Sequence, residues 1–184
     1  GDKTMRLIPL LFLLTTSVYS LKFVVFSTQF AKSHVNFLAR ISDVLVDAGH
    51  EVVMVAPIMN SHIGGAMTKK ARVIEIPQSE KTLPFEEFAN NEMSQNVWVT
   101  SNPMLMFLNN WAIFDSWGHM CDDVIAHPGL LEQLKNEKFD AAFGESFDMC
   151  GAVIFHLIGV DKWAVTDSVA IKDGGFFMTQ TPTN

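Results

Sequence analysis

The stretch Leu21–Ala56 constrains the fold more than any other part of the chain. Leu21–Phe26 is a short apolar run rich in β-branched and aromatic residues, the composition of a buried strand. Ser27–Lys32 is a polar loop without a glycine. Ser33 is a suitable helix N-cap, because its hydroxyl can accept from the free amides of the first turn. Phe37, Leu38, Ile41, Val44, Leu45 and Ala48 then recur at helical spacing. Gly49 supplies a left-handed residue to end the helix, and Glu51–Ala56 is a second buried strand. Strand, helix and strand in this order predict a right-handed βαβ unit with parallel strands. His34 stands at the start of that helix, just past the C-terminal end of the first strand, on the edge where open α/β sheets place ligands.

The rest of the chain extends this pattern. Pro57–Lys70 is a loop carrying Gly64-Gly65, and Arg72–Ile76 reads as a third strand stopped by Pro77. Leu83–Val99 and Pro103–Ala126 are expected to be helical. They are loaded with large apolar groups: Phe85, Phe88, Met93, Trp98, Met104, Met106, Phe107, Trp111, Phe114, Trp117 and Met120. Helix packing accounts for part of this, and a pocket for bulky apolar ligands would use the same adaptable methionines and rings. His127-Pro128 breaks the second helix, and 129–136 forms a short helical turn or two. Phe139–Gly144 is a fourth strand, Ser146–Ile158 a helix followed by Gly159, and Lys162–Thr166 a fifth strand. Five strands alternating with helices predict an α/β fold with a parallel sheet of order 3-2-1-4-5.

Composition narrows the class. A net charge of -7 over 184 residues, with no basic run, argues against a nucleic-acid partner. The N-terminal segment 1–20 is set apart from the domain at 21–184. Gly1–Thr4 reads as a vector remnant, and Met5-Arg6 followed by Leu7–Val18 and Ser20 has the charged start, short apolar core and small residues of a signal peptide. A secreted or lumenal setting is expected. Such a compartment permits a disulfide between Cys121 and Cys150, but two cysteines make no framework, and two buried free thiols are the reading preferred here. No Asn-x-Ser/Thr acceptor is present.

Strand order decides where chemistry can sit. With strands one and four adjacent, the loops that follow them share one crevice. His34 comes after strand one, and Glu145, Ser146 and Asp148 come after strand four. A histidine and a carboxylate would thus meet in space, as a general base held by an acid that fixes its tautomer. Alone, a histidine at a helix start is more often a surface or capping residue; the shared crevice is what favours catalysis. His50, His62, His119, His127 and His156 show no metal-ligand spacing and read as structural. The glycine-free loop Ser27–Lys32 weighs against a nicotinamide- or flavin-dependent oxidoreductase.

One ordered set of residues resembles a known family. It comprises the loop ending Ser33-His34, the turn Asp47-Ala48-Gly49-His50-Glu51-Val52, the aromatic helical insert, and Phe139-Asp140 leading to Gly144-Glu145-Ser146-Phe147-Asp148-Met149-Cys150-Gly151. It resembles the N-terminal half of UDP-glucuronosyltransferases, especially invertebrate ones, from about Met5 to the end. The resemblance implies a GT-B fold: two Rossmann-like domains, the first binding a lipophilic acceptor, the second binding UDP-glucuronic acid or UDP-glucose. It implies inverting transfer, with His34 as the catalytic base and Glu145 at the family's supporting aspartate, one methylene longer; Asp148 is the rival partner. Phe30, Phe88, Trp98, Met106, Phe107, Trp111 and Phe114 are the expected acceptor contacts. No cofactor is implied, only the UDP-sugar co-substrate. Placement in the endoplasmic reticulum lumen is implied, with membrane anchoring and the donor domain residing in a C-terminal part beyond this chain. Alone, this chain is expected not to turn over; a homo-oligomer or a hetero-oligomer with full-length transferases is the partner state that the resemblance allows. The alternative is a non-catalytic lipophile-binding module or short regulatory isoform.

Overall fold

The computed structural model describes residues 19–93 and 103–168. Five strands form one parallel sheet: β1 (Lys22–Phe26), β2 (Glu51–Pro57), β3 (Arg72–Ile76), β4 (Ala141–Glu145) and β5 (Trp163–Thr166), in the order β3-β2-β1-β4-β5. This is the order expected from the sequence. Register is continuous across the centre, where Val24 lies opposite Val53 on one side and Ala142 on the other. The helices are α1 (Lys32–Asp47), α2 (Leu83–Phe88), α3 (Pro103–Ala126), α4 (Leu130–Asn136) and α5 (Cys150–Leu157).

Strand alternation divides the core into two layers. Val25 points to the face covered by α1, where Leu38, Ala39, Met54, Ala56 and Phe143 pack together. Val24 and Phe26 point to the other face, against Trp117, Met120, Val124, Leu134, Ile154 and Phe155. Both faces are covered, which is why the central strands read as continuous apolar runs.

Local chemistry shifts several expected boundaries. Ala31, extended at φ -145°, is the N-cap of α1, and no side chain caps the helix. Ser33 is therefore its second residue and His34 its third, because Ala31 already offers its carbonyl to Val35 N at 3.2 Å. Gly49 does end the helix, at φ 90°. The expected helix Leu83–Val99 is regular only as far as Phe88 and widens to a π-helical turn at Ala89–Met93. Trp98 lies outside the described residues.

The segment expected as a helix from Ser146 starts only at Cys150. Asp148 N donates to Glu145 O at 3.3 Å, and Asp148 Oδ1 accepts from Cys150 N at 2.9 Å. The carboxylate thus competes with the backbone and holds a turn where a helix was expected. Gly151 lets α5 settle on the end of β1, since a Cβ there would stand 3.1 Å from Phe26 Cβ. The two cysteines are not free thiols: Cys121 on α3 and Cys150 at the start of α5 form a disulfide, their Cα atoms 5.5 Å apart. The cause is tertiary: helix packing brings these positions within bridging distance.

Candidate active site

The loop after β1 is held by backbone bonds before any functional group enters it. Gln29 is buried and donates its N–H to Pro57 O at 2.8 Å; its carbonyl accepts from Asn60 N at 2.9 Å. Its side chain reaches Glu75 Oε1 at 3.0 Å. Phe30 N then turns back to Thr28 O at 3.0 Å, and the chain enters α1. This fixes Phe30 and, one turn on, His34.

His34 Nδ1 lies 2.7 Å from Glu145 Oε2, with side chains 13% and 4% exposed. Ionised Glu145 can only accept, so the proton between them belongs to Nδ1. Nε2 has no hydrogen-bond partner among the described residues. Ser168, just past β5, completes the cluster: its Oγ lies 2.8 Å from His34 Nδ1, and its N–H donates to Glu145 Oε1 at 2.9 Å. Burial raises the pKa of Glu145, but the hydrogen bonds from His34 and Ser168 outweigh it and hold the carboxyl below its ordinary value.

The ring of His34 is enclosed by other rings. Phe30 lies 4.6 Å away, centroid to centroid, and Phe147 meets the imidazole edge-on at 5.2 Å. Trp117 stands behind Phe30 at 5.5 Å, and Phe114 extends the row outward, 5.9 Å from Trp117. Phe114 and Trp111 are 63% and 66% exposed on α3. Phe88 is half-buried on α2, and no ring contact joins it to His34 among the described residues. Of Met106 and Phe107 only the helical backbone is described.

Asp148 is not the histidine's partner. One of its oxygens accepts from Thr28 Oγ1 and the other from Cys150 N. The turn after β4 aims it back at the β1 loop instead of toward α1. Burial pushes its carboxyl up to about 6, with the charge of Glu145 adding to the effect. Ser146 faces β5, donating its hydroxyl to Asp167. Among the described residues no three histidine, cysteine or acidic side chains are grouped to hold a metal ion.

Reasoning from the sequence named His34 and Glu145 but missed Ser168, Phe147 and Trp117 as parts of one cluster. The signal for Ser168 lay in topology: Glu145 pairs with Thr166, so residues just after β5 must flank those just after β4.

An α/β sheet with a carboxylate-held histidine at its switch point defines a protein with an acid–base pair at the ligand edge. Residues 22–174 match the family described as UDP-glucoronosyl and UDP-glucosyl transferase. The chain therefore belongs to this glycosyltransferase family. It is 34% identical over 159 residues to the Caenorhabditis elegans protein named UDP-glucuronosyltransferase ugt-48, an overlap of 83% of this chain and 30% of that one. It is 25% identical over 130 residues to human UDP-glucuronosyltransferase 1A6, covering 70% of this chain and 24% of that relative. The chain thus spans under a third of the length of these relatives. Among solved structures it is similar to SsfS6, a glycosyltransferase of Streptomyces sp. SF2575, at TM-score 0.49 and 19% identity, over 78% of this chain and 38% of that one.

Proposed function

We propose that this chain is the acceptor-binding part of a GT-B UDP-glycosyltransferase, with His34 as its general base. One observation carries the reading: Nδ1 is held by Glu145 at 2.7 Å, leaving Nε2 as the ring's proton acceptor. An acceptor hydroxyl placed at Nε2 gives up its proton there as its oxygen bonds to the anomeric carbon of the sugar. The bond from that carbon to the UDP oxygen breaks on the opposite side, and its electron pair leaves with UDP. The anomeric configuration inverts. A well-placed base of this kind contributes about 10²–10⁴ in rate, and Glu145 offsets the charge the imidazole gains.

Phe30, Phe147 and Trp117 form an apolar wall beside the reacting group, and Phe114 continues it outward. This suits a small lipophilic acceptor whose hydroxyl reaches His34. The UDP-sugar, glucuronic acid or glucose, would be bound mainly by a second domain. The Met5–Ser20 pattern and the Cys121–Cys150 disulfide together support a secretory-pathway, endoplasmic reticulum location.

The test is to join this chain to the C-terminal part of a family relative and assay transfer from UDP-sugar to a panel of phenols. The His34→Ala form should lose transfer by at least about a hundredfold. Undiminished transfer by that variant would overturn the catalytic assignment.

A further inference from the structure

We propose that Ser168 is a positioning residue that engages both members of the His34–Glu145 pair, the carboxylate by its amide and the ring by its hydroxyl oxygen, and thereby fixes which nitrogen of His34 carries the proton. This deepens the functional reading above and rests on it for its catalytic meaning. The C-terminal ends of β1, β4 and β5 converge here: α1, which follows β1, brings His34, the last residue of β4 is Glu145, and the loop after β5 brings Ser168. Ser168 is the residue that touches both partners: its amide holds Glu145 Oε1 at 2.9 Å, and its hydroxyl oxygen sits 2.8 Å from His34 Nδ1.

Proton bookkeeping shows what the hydroxyl does. Glu145 Oε2 and Ser168 Oγ both lie within hydrogen-bond distance of Nδ1. Nδ1 carries one proton and directs it to the ionised carboxylate, the stronger acceptor. The serine oxygen, 2.8 Å from the same Nδ1, is a second acceptor for that proton, so a proton on Nδ1 meets two oxygens. Glu145 so receives N–H from the imidazole at Oε2 and N–H from Ser168 at Oε1. Its two oxygens are engaged on different sides, and the carboxylate cannot swing away from Nδ1.

That restraint matters because a glutamate has one more rotatable bond than an aspartate, and a free side chain of this kind carries about 1.5–2 kcal/mol of rotamer entropy. Without the hydroxyl, the Nδ1 proton has one acceptor oxygen instead of two, and the preference for that nitrogen weakens. The neutral imidazole then samples the other tautomer, with its proton on Nε2, and that form cannot accept from a substrate hydroxyl. Ser168 itself touches no reacting atom in this scheme. It acts through the His34–Glu145 pair.

The deciding experiment uses the 184-residue chain with ¹⁵N-labelled histidine. Long-range proton–nitrogen correlation above neutral pH reads where the ring proton of His34 sits. The wild-type chain should show it on Nδ1 alone. Ser168→Ala should bring in a resolvable Nε2–H population, and Ser168→Thr, which keeps the hydroxyl, should restore the single form. In the protein joined to a donor domain, Ser168→Ala should lower kcat about ten- to a hundredfold with the acceptor KM unchanged. A wild-type tautomer in the Ala variant, or failure of Thr to restore it, would overturn the proposal. The tautomer is read without any transfer assay. If His34→Ala keeps its activity while Ser168→Ala still releases the tautomer, the functional reading falls and the positioning role stands.

Discussion

The sheet carries a cluster of charged groups at each end, and the two differ in almost every physical respect. At the N-terminal ends of the strands Lys22 bridges Glu51 at 3.3 Å and also pairs with Glu137, which in turn pairs with Arg72. Lys22 N donates to Asp140 Oδ2 at 2.7 Å. The outer groups are wet, with Glu51 and Arg72 side chains 69% and 48% exposed, while Lys22 and Glu137 between them are 26% and 18% exposed. Glu51 and Glu137 each meet a permanent cation there. At the C-terminal ends, Glu145 is 4% exposed and meets a histidine, whose charge depends on a proton. The first arrangement fastens strands together; the second can move a proton. Exposed ion pairs are worth little individually, whereas a buried acid–base pair is expensive to assemble and is expected where chemistry occurs.

The two ends are also secured differently. At the wet end, side-chain ion pairs tie the strands. At the dry end, Gln29, the Thr28–Asp148 contact, the Ser168 bonds and the Cys121–Cys150 bridge lock three loops and a helix around one imidazole. Substitutions should therefore separate stability from chemistry according to which end they touch.

The largest effect should come from the pair itself. In the protein joined to a donor domain, His34→Ala and Glu145→Ala should each lower kcat/KM by about 10²–10⁴, and the double variant should cost little more than the worse single one. Losses that multiply fully would mean that the two residues act independently. Replacing both cysteines by serine should lower stability by about 3 kcal/mol, because the bridge closes a loop of sequence separation 29. Denaturant unfolding under non-reducing conditions checks this, and an unchanged midpoint would show that the bridge restrains nothing.

Asp148 makes a prediction with a definite sign. Burial raises its carboxyl from 3.8 to about 6, so the folded protein binds this proton more tightly than the unfolded chain. Its contribution is complete below about pH 4 and fades as pH rises toward about 6. Between those limits the wild-type chain should lose stability that Asp148→Asn does not, by at most about 3 kcal/mol. Glu145 runs the other way: its pKa is lowered, so its contribution is present at neutral pH and is lost as acid titrates the folded carboxyl. Urea titrations at pH 4, 5, 6 and 7 measure the difference, and parallel curves for the two proteins would refute it. The smallest effect belongs to the wet end, where Glu137→Gln should cost about 1 kcal/mol or less and shrink further in salt.

Much of this was legible in the chain itself, and the limits have physical causes. The strand order followed from one βαβ pattern and the alternation after it, and that order alone brought His34 to Glu145 across 111 positions. What could not be read were facts created by packing. The disulfide needs α3 beside α5, which no spacing of two cysteines announces. Asp148 has the residue type of a catalytic partner, yet the turn it stabilises aims it at Thr28. Ser168 is an ordinary serine in a loop, and only the β4–β5 register gives it a role. Ser33 has the chemistry of a cap, but Ala31 reaches the extended conformation first.

The contrast between the two ends can be put to one measurement. Two isosteric variants, Glu145→Gln and Glu137→Gln, are compared for kcat/KM in the same joined protein, with folding checked by thermal melts. Glu145→Gln should lose about a hundredfold or more while Glu137→Gln stays within about twofold of wild type. Equal activity in both variants would contradict the assignment of the chemistry to the His34–Glu145 edge.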